Sequence, residues 1–206
     1  MKVLLVNGSS RHHGNTEAAL KEMVNVFAQA GIETELLWLG AEPVRDCIAC
    51  GGCRSGKCVF ADDVVSELVE KAETADGFIF GTPVYYAHPS GRILSVLDRA
   101  FYSASRVFRK KPGAAVAIAR RAGATASVDV LNKYFTIAEM PVVSSSYWNV
   151  AHGSRPGEVA EDGEGLQTVR NLARNMAWLL RCIEAGKAAG ITPPETERGN
   201  VTNFIR

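Results

Sequence analysis

Four cysteines crowd one short stretch, Cys47, Cys50, Cys53 and Cys58, in the spacing C-x2-C-x2-C-x4-C. Thiolates are nucleophiles and metal ligands, so in a reducing compartment such a group points to metal binding or redox exchange before a disulfide framework. Gly51 and Gly52 let the backbone wrap closely, the way a short segment cups a [4Fe–4S] cube. Zinc ribbons and knuckles set two CxxC pairs about a dozen or more residues apart, which this run does not allow. No cysteine here opens a C-x5-R loop, and that excludes low-molecular-weight phosphatase chemistry at the segment. A cluster site, a dithiol pair and a structural loop all fit the spacing. The fifth cysteine, Cys182, lies between Leu180 and Ile183 and reads as core packing.

A second group, Gly8-Ser9-Ser10-Arg11-His12-His13-Gly14-Asn15-Thr16, follows an apolar run and opens a helical pattern. Free N–H groups and the helix dipole converge at such a junction and favour an anion. The hydroxyls of Ser9, Ser10 and Thr16 add donors, and Arg11 offsets charge. No lysine follows the second glycine, so the loop does not serve a triphosphate, and the GxGxxG spacing that admits a pyrophosphate is absent. What remains suits a terminal phosphate monoester such as that of FMN; the bland alternative is an ordinary capped turn. Nothing nearby spaces His12 and His13 as metal ligands, and they read as loop-surface residues.

A third group is Thr82-Pro83-Val84-Tyr85-Tyr86. A flavin ring needs a flat, mostly apolar slot with a few donors aimed at its heteroatoms. Tyr85 and Tyr86 can wall such a slot, or can simply cover a sheet edge. His88, just beyond, reads as a solvent-facing loop residue. Arg120 and Arg121 can stabilise negative charge on a reduced ring, grip the 2′-phosphate of NADPH, or form a solvated surface pair.

On these residues the chain resembles the NADPH-dependent FMN reductase family. The Gly8–Thr16 loop is similar to the family's first phosphate loop, Thr82–Tyr86 to the segment lying along the isoalloxazine ring, and Arg120 to Gly123 to a loop near the pyrimidine edge. Many relatives carry glycines where this chain has Arg120 and Arg121. The cysteine run resembles that of the iron–sulfur flavoprotein branch, which also lies between the second strand and the next helix. The resemblance implies bound FMN, NAD(P)H as donor, and a quinone, azo, nitro or other small-molecule acceptor or redox protein. It also implies a homodimer or homotetramer. The alternative it leaves open is ferredoxin-linked electron transfer through a [4Fe–4S] cluster on Cys47, Cys50, Cys53 and Cys58; a flavin-bound redox sensor is a third.

The elements that must position these groups alternate between short apolar runs and amphipathic stretches. Strands are expected at Lys2 to Val6, Glu33 to Leu39, Gly77 to Gly81, Ala114 to Ala119 and Met140 to Val143. Helices are expected from Asn15 or Thr16 to about Gly31, from Asp62 to Thr74, from Pro89 to Ser105, from Thr125 to Ala138 and from Gly165 to Ala189. That cadence predicts an α/β, flavodoxin-like, doubly wound five-stranded parallel sheet in the order 2-1-3-4-5, with helices on both faces and the ligand beyond the carboxyl ends of the strands. Asp98 and Arg99 suit a helix-face ion pair, and Trp148 and His152 an acceptor pocket or a subunit interface.

Length and composition frame one domain. The chain has 206 residues, 47% hydrophobic and 22% charged, and a net charge of +1, which points to no nucleic acid or membrane partner. No stretch approaches the roughly 20 apolar residues of a membrane helix, and a cytoplasmic location is expected. Residues 1–190 read as one FMN-binding domain with a Cys-rich insertion at 40–61, and 191–206 as a tail.

Overall fold

The computed structural model describes residues 1–202 and 204. Its strands are β1 (Lys2–Asn7), β2 (Glu33–Trp38), β3 (Gly77–Tyr85), β4 (His88–Pro89), β5 (Gly113–Ala119) and β6 (Val150–His152). Its long helices are α1 (Asn15–Gln29), α2 (Val64–Thr74), α3 (Gly91–Ala104), α4 (Ala124–Ile137) and α5 (Gly163–Ala188). The central strands β1, β3 and β5 are apolar on both faces because both faces are covered. Leu4, Val6, Phe78, Phe80, Ala115 and Ala117 point to one core with residues of α2, α3 and α4. Their neighbours Val3, Leu5, Ile79, Ala114 and Val116 point to the other, against α1 and α5. The period of two along each strand thus builds two cores from one sheet.

This is a flavodoxin-like α/β fold, with parallel pairing along β2-β1-β3-β5-β6. The order differs from the expected 2-1-3-4-5 in two respects. β3 does not stop at Thr82-Pro83 but runs on to Tyr85 and turns back into β4, which pairs with it antiparallel and enters the count. The last strand is Val150–His152 rather than Met140 to Val143. Only an isolated bridge between Gly113 and Val142 forms at the expected place. Ser145 Oγ then donates to the Thr168 carbonyl (2.6 Å) and Asn175 Nδ2 to that of Ser144 (2.8 Å), so α5 draws the chain off the sheet until Asn149.

Two side chains also differ from expectation. Cys182 is exposed, because the buried stripe of α5 runs through Val169, Leu172, Ala173, Met176, Ala177 and Leu180 and leaves position 182 off its face. Arg99 does not pair with Asp98 on a helix surface. It is 1% exposed and reaches away from α3, while Asp98 accepts from the Tyr134 hydroxyl. No helix among the described residues is long and apolar enough to cross a membrane.

Candidate functional site

The loops after β1, β3 and β5 meet at the carboxyl edge of the sheet. Gly8 N–H donates to the Gly81 carbonyl at 2.8 Å, and Ser90 Oγ donates to the Gly8 carbonyl at 2.8 Å. Ser90 N–H in turn donates to Thr82 Oγ1 at 3.0 Å, so the first two loops are tied through one buried serine. A Cβ on Gly8 would stand 2.9 Å from Ile93 and 3.0 Å from the Gly81 oxygen, so this close approach needs a glycine. The third loop is joined to the second at Gly123. With φ at 88° it occupies the left-handed region, and a Cβ there would lie 2.4 Å from Ala87 Cα.

The first loop is shaped by its own short bonds. Ser9 N–H donates to Asn7 Oδ1 (3.0 Å), Arg11 N–H to Ser9 Oγ (3.1 Å) and Asn7 Nδ2 to the His12 carbonyl (3.3 Å). Neither Asn15 nor Thr16 caps α1. Gly14 is the cap residue and offers no side-chain bond, while Asn15 instead donates to the Arg155 carbonyl and accepts from Val159 N–H. α4 likewise starts on Gly123 without a side-chain cap, whereas Asp63, Ser90 and Asp162 cap α2, α3 and α5. Of the three helices that follow the edge loops, α1 and α4 start without a side-chain acceptor, which leaves their first N–H groups free for an anion, while Ser90 caps α3. Ser9 and Thr16 are buried beside it, and Ser10 and Arg11 are exposed.

Trp38, at the end of β2, was not among the expected site residues. Its Nε1 donates to the Ser9 carbonyl (2.8 Å), and its ring stacks on His12 at 4.2 Å and 10°. His12 stacks on His13 at 4.2 Å and 21°, and His13 Nδ1 lies 3.2 Å from Oε2 of buried Glu17. Among the described residues His12, His13 and Glu17 form the one group of potential metal ligands whose atoms lie within 4.8 Å of one another. The stacked rings brace the first loop against Trp38, and, contrary to the expectation that nothing nearby spaces the two histidines as ligands, Glu17 completes a compact donor group with them. The signal was in the sequence only as adjacent histidines; their tryptophan partner is more than twenty positions on.

Tyr86 and Ala87 form the two-residue turn between β3 and β4, with φ at 51° and 59°. Such hairpin turns favour Asn and Gly, and holding other residues there costs about 1–3 kcal/mol each. The turn presents Tyr85 and Tyr86 to solvent above half-buried Pro83 and Val84. Arg120 and Arg121 are exposed beside it and make no ion pair among the described residues.

The cysteine loop leaves the sheet at Leu39, on the same edge. It holds one short 3-10 turn, Gly52–Ser55, and two arginines from α3 supply most of its bracing. Arg92 donates to the carbonyls of Leu39, Ala41 and Glu42. Arg99 uses all five of its N–H groups. Nη1 donates to the Arg45 carbonyl (3.1 Å) and Asp63 Oδ2 (2.5 Å), Nη2 to the Phe60 carbonyl (2.7 Å) and Asp63 Oδ1 (3.1 Å), and Nε to Cys58 Sγ (3.3 Å). Burial alone would lower the guanidinium's affinity for its proton; the bonds to Asp63 and Cys58 outweigh it and leave the group more firmly charged than an ordinary arginine. Cys47, Cys50, Cys53 and Cys58 all line one cavity of about 260 Å³, walled also by Ile48, Phe60, Arg99 and Tyr102.

The donor set of this cavity fits a cluster better than a single ion. Tetrahedral zinc with bonds of about 2.3 Å would draw its sulfurs to within roughly 4 Å of one another, and no three cysteine sulfurs lie within 4.8 Å of each other among the described residues. Four cysteines that line one cavity, with no three of their sulfurs within 4.8 Å of one another among the described residues, leave room for a larger inorganic core.

Fold and edge together define a flavodoxin-like α/β domain whose loops after β1, β3 and β5 meet at one edge of the sheet. The family model "NADPH-dependent FMN reductase" matches residues 1–155, and the chain belongs to that family, a family of flavin oxidoreductases. It is 35% identical to an iron–sulfur flavoprotein of Methanocaldococcus jannaschii, over 89% of this chain and 100% of the relative. It is 29% identical to an iron–sulfur flavoprotein of Methanosarcina thermophila, over 91% and 99%. Among solved structures it is similar to RosB with a bound 8-demethyl-8-formylriboflavin-5′-phosphate intermediate, at a TM-score of 0.68 and 18% identity, over 100% of this chain and 94% of that one; this likeness bears on the fold.

Proposed function

We propose that the chain binds FMN across its three edge loops and passes reducing equivalents between it and an acceptor, with an iron–sulfur cluster in the cysteine cavity as the second redox centre. The observation that carries the reading is that all four cysteines line one cavity braced by α3, the helix whose first turn ties the two flavin loops together. Bound FMN supplies two-electron and one-electron chemistry, and a cluster supplies one-electron chemistry. The chain's own residues bind and orient. Ser9, Ser10 and Thr16, with the first N–H groups of α1, hold the phosphate, Gly14 and Asn15 shape that turn, and Arg11 offsets its charge. Thr82, Pro83 and Val84 floor the ring, Tyr85 and Tyr86 wall it, and Arg120, Arg121 and Gly123 border its far edge. Cys47, Cys50, Cys53 and Cys58 hold the cluster.

NAD(P)H as the donor is a second reading, favoured by the family's own description and by exposed Arg120 and Arg121 beside the ring edge, which make no ion pair among the described residues. Exposed Tyr147, Trp148 and Trp178 support a self-associating face, as in a homodimer or homotetramer. The test is to purify the protein without oxygen, assay flavin, iron and sulfide together, and then add NADPH. Flavin bleached by NADPH in a sample free of iron would leave the reductase alone; flavin with iron, slow to respond to NADPH, would favour ferredoxin-type electron transfer.

A further inference from the structure

The brace on the cysteine loop comes from an unlikely residue. Arg99 lies 41 positions beyond Cys58 on a different element, is 1% exposed, and donates every N–H it has into residues 45–63. Four of those bonds fix backbone or Asp63. The fifth, Nε to Cys58 Sγ at 3.3 Å, goes to one of the four sulfurs that line the cavity. The guanidinium also lies against Phe60, whose ring is 5.3 Å from Arg99 Cζ and 4.5 Å from Arg45 Cζ, a cation–π contact to both arginines.

A charge held in so dry a place acts strongly on its neighbours. Asp63 offsets part of it, with a side chain 19% exposed, and no other acidic group bonds to Arg99 among the described residues. Reduction of an iron–sulfur cluster adds one electron and expels nothing, so the reduced form carries one more negative charge than the oxidised form. A cation within hydrogen-bonding distance of a ligand sulfur stabilises the reduced form more, and N–H···S bonds act in the same direction.

We propose that Arg99 is the positioning residue of the cysteine cavity: it sets where the Cys58 sulfur stands, and its N–H···S bond and buried charge raise the reduction potential of the cluster held there. The inference rests on the cluster reading above. It also predicts that the effect is confined to the cluster, because among the described residues Arg99 makes no side-chain hydrogen bond or ion pair to the three flavin loops.

The test is a dithionite titration, followed by electron paramagnetic resonance for the cluster and by absorbance for the flavin, on anaerobically purified wild type, Arg99→Lys and Arg99→Gln. Lysine keeps the charge but cannot hold Asp63, two carbonyls and the sulfur at once; glutamine removes the charge. The cluster potential should fall from wild type to Arg99→Lys and further to Arg99→Gln, with the flavin potential unmoved. If Arg99→Gln does not keep its iron, the comparison of wild type with Arg99→Lys decides. A cluster potential equal in wild type and Arg99→Lys would overturn the proposal, and so would flavin and cluster potentials that shift together. Wild type that holds no iron or sulfide, even after reconstitution, would overturn the cluster reading and this inference with it; iron in the wild type with unshifted variants overturns this inference alone.

Discussion

The phosphate loop and the cysteine loop leave the same edge of the same sheet, from β1 and β2, yet they are held in opposite ways. The first is short and takes much of its shape from bonds two to five residues apart, among Asn7, Ser9, Arg11 and His12, with Trp38 and Ser90 bonding to it from other elements. The second spans 40–61 and has almost no internal scaffold, so Arg92 and Arg99 of α3 brace it from outside. A loop that carries its own turn chemistry can tolerate change elsewhere. A loop braced by two distant arginines concentrates its stability in those residues. α3 joins the two regimes: its cap, Ser90, locks the flavin loops, and Arg99, nine residues further on, locks the cysteine loop.

The sharpest way to break the contrast is Arg99→Gln. Removing one member of a buried ion pair costs about 3–5 kcal/mol, and Asp63 and two carbonyls lose their donor as well. We expect chemical denaturation to show a loss of that order, and a much smaller loss, under about 0.5 kcal/mol, for Arg11→Gln on the self-supported loop. Next in size is the combined Ser9→Ala, Ser10→Ala and Thr16→Ala variant. Hydrogen bonds to a charged phosphate contribute roughly 1.5–3 kcal/mol each, so FMN affinity measured by fluorescence quenching should fall on the order of a hundredfold or more. Unchanged affinity would remove the phosphate-cradle assignment. Gly123→Ala should follow, since a left-handed φ costs about 1–3 kcal/mol in alanine and the new Cβ would press on Ala87; both melting temperature and FMN affinity should drop. Cys50→Ser separates the loops in the other direction, because it should abolish iron binding while FMN stays bound.

The smallest effect lies at the opposite edge of the sheet. Glu139 is held down to about 2 by hydrogen bonds from Lys110 and then Thr196, with Arg109 adding charge. A carboxylate whose folded value is depressed stabilises the fold above its unfolded value of 4.5, and that contribution fades as pH falls through about 2. The stability difference between wild type and Glu139→Gln should therefore be small but present at neutral pH and vanish below about pH 2. A difference unchanged across that window would contradict the assignment.

What the sequence made legible follows the same division. β1, β3 and β5 are read from apolar runs, and the phosphate loop from hydroxyls and glycines set between a strand and a helix, because these signals are local. The fifth strand was misplaced because Met140 to Val143 is as apolar as a strand, and only the bonds from Ser145 to the Thr168 carbonyl and from Asn175 to that of Ser144 show why the chain leaves the sheet there. Trp38 over His12 and Arg99 under Cys58 were not legible, since both act across tens of residues. Cys182 was misread by its neighbours when the helical phase of Met176, Ala177 and Leu180 already placed it off the buried stripe.

The most direct test of the account is the absorption spectrum of the protein purified without oxygen, with iron and acid-labile sulfide assayed on the same sample. The account predicts flavin bands superimposed on a broad absorbance that scales with iron and sulfide. A protein that shows no flavin even after FMN is added would contradict it at its centre.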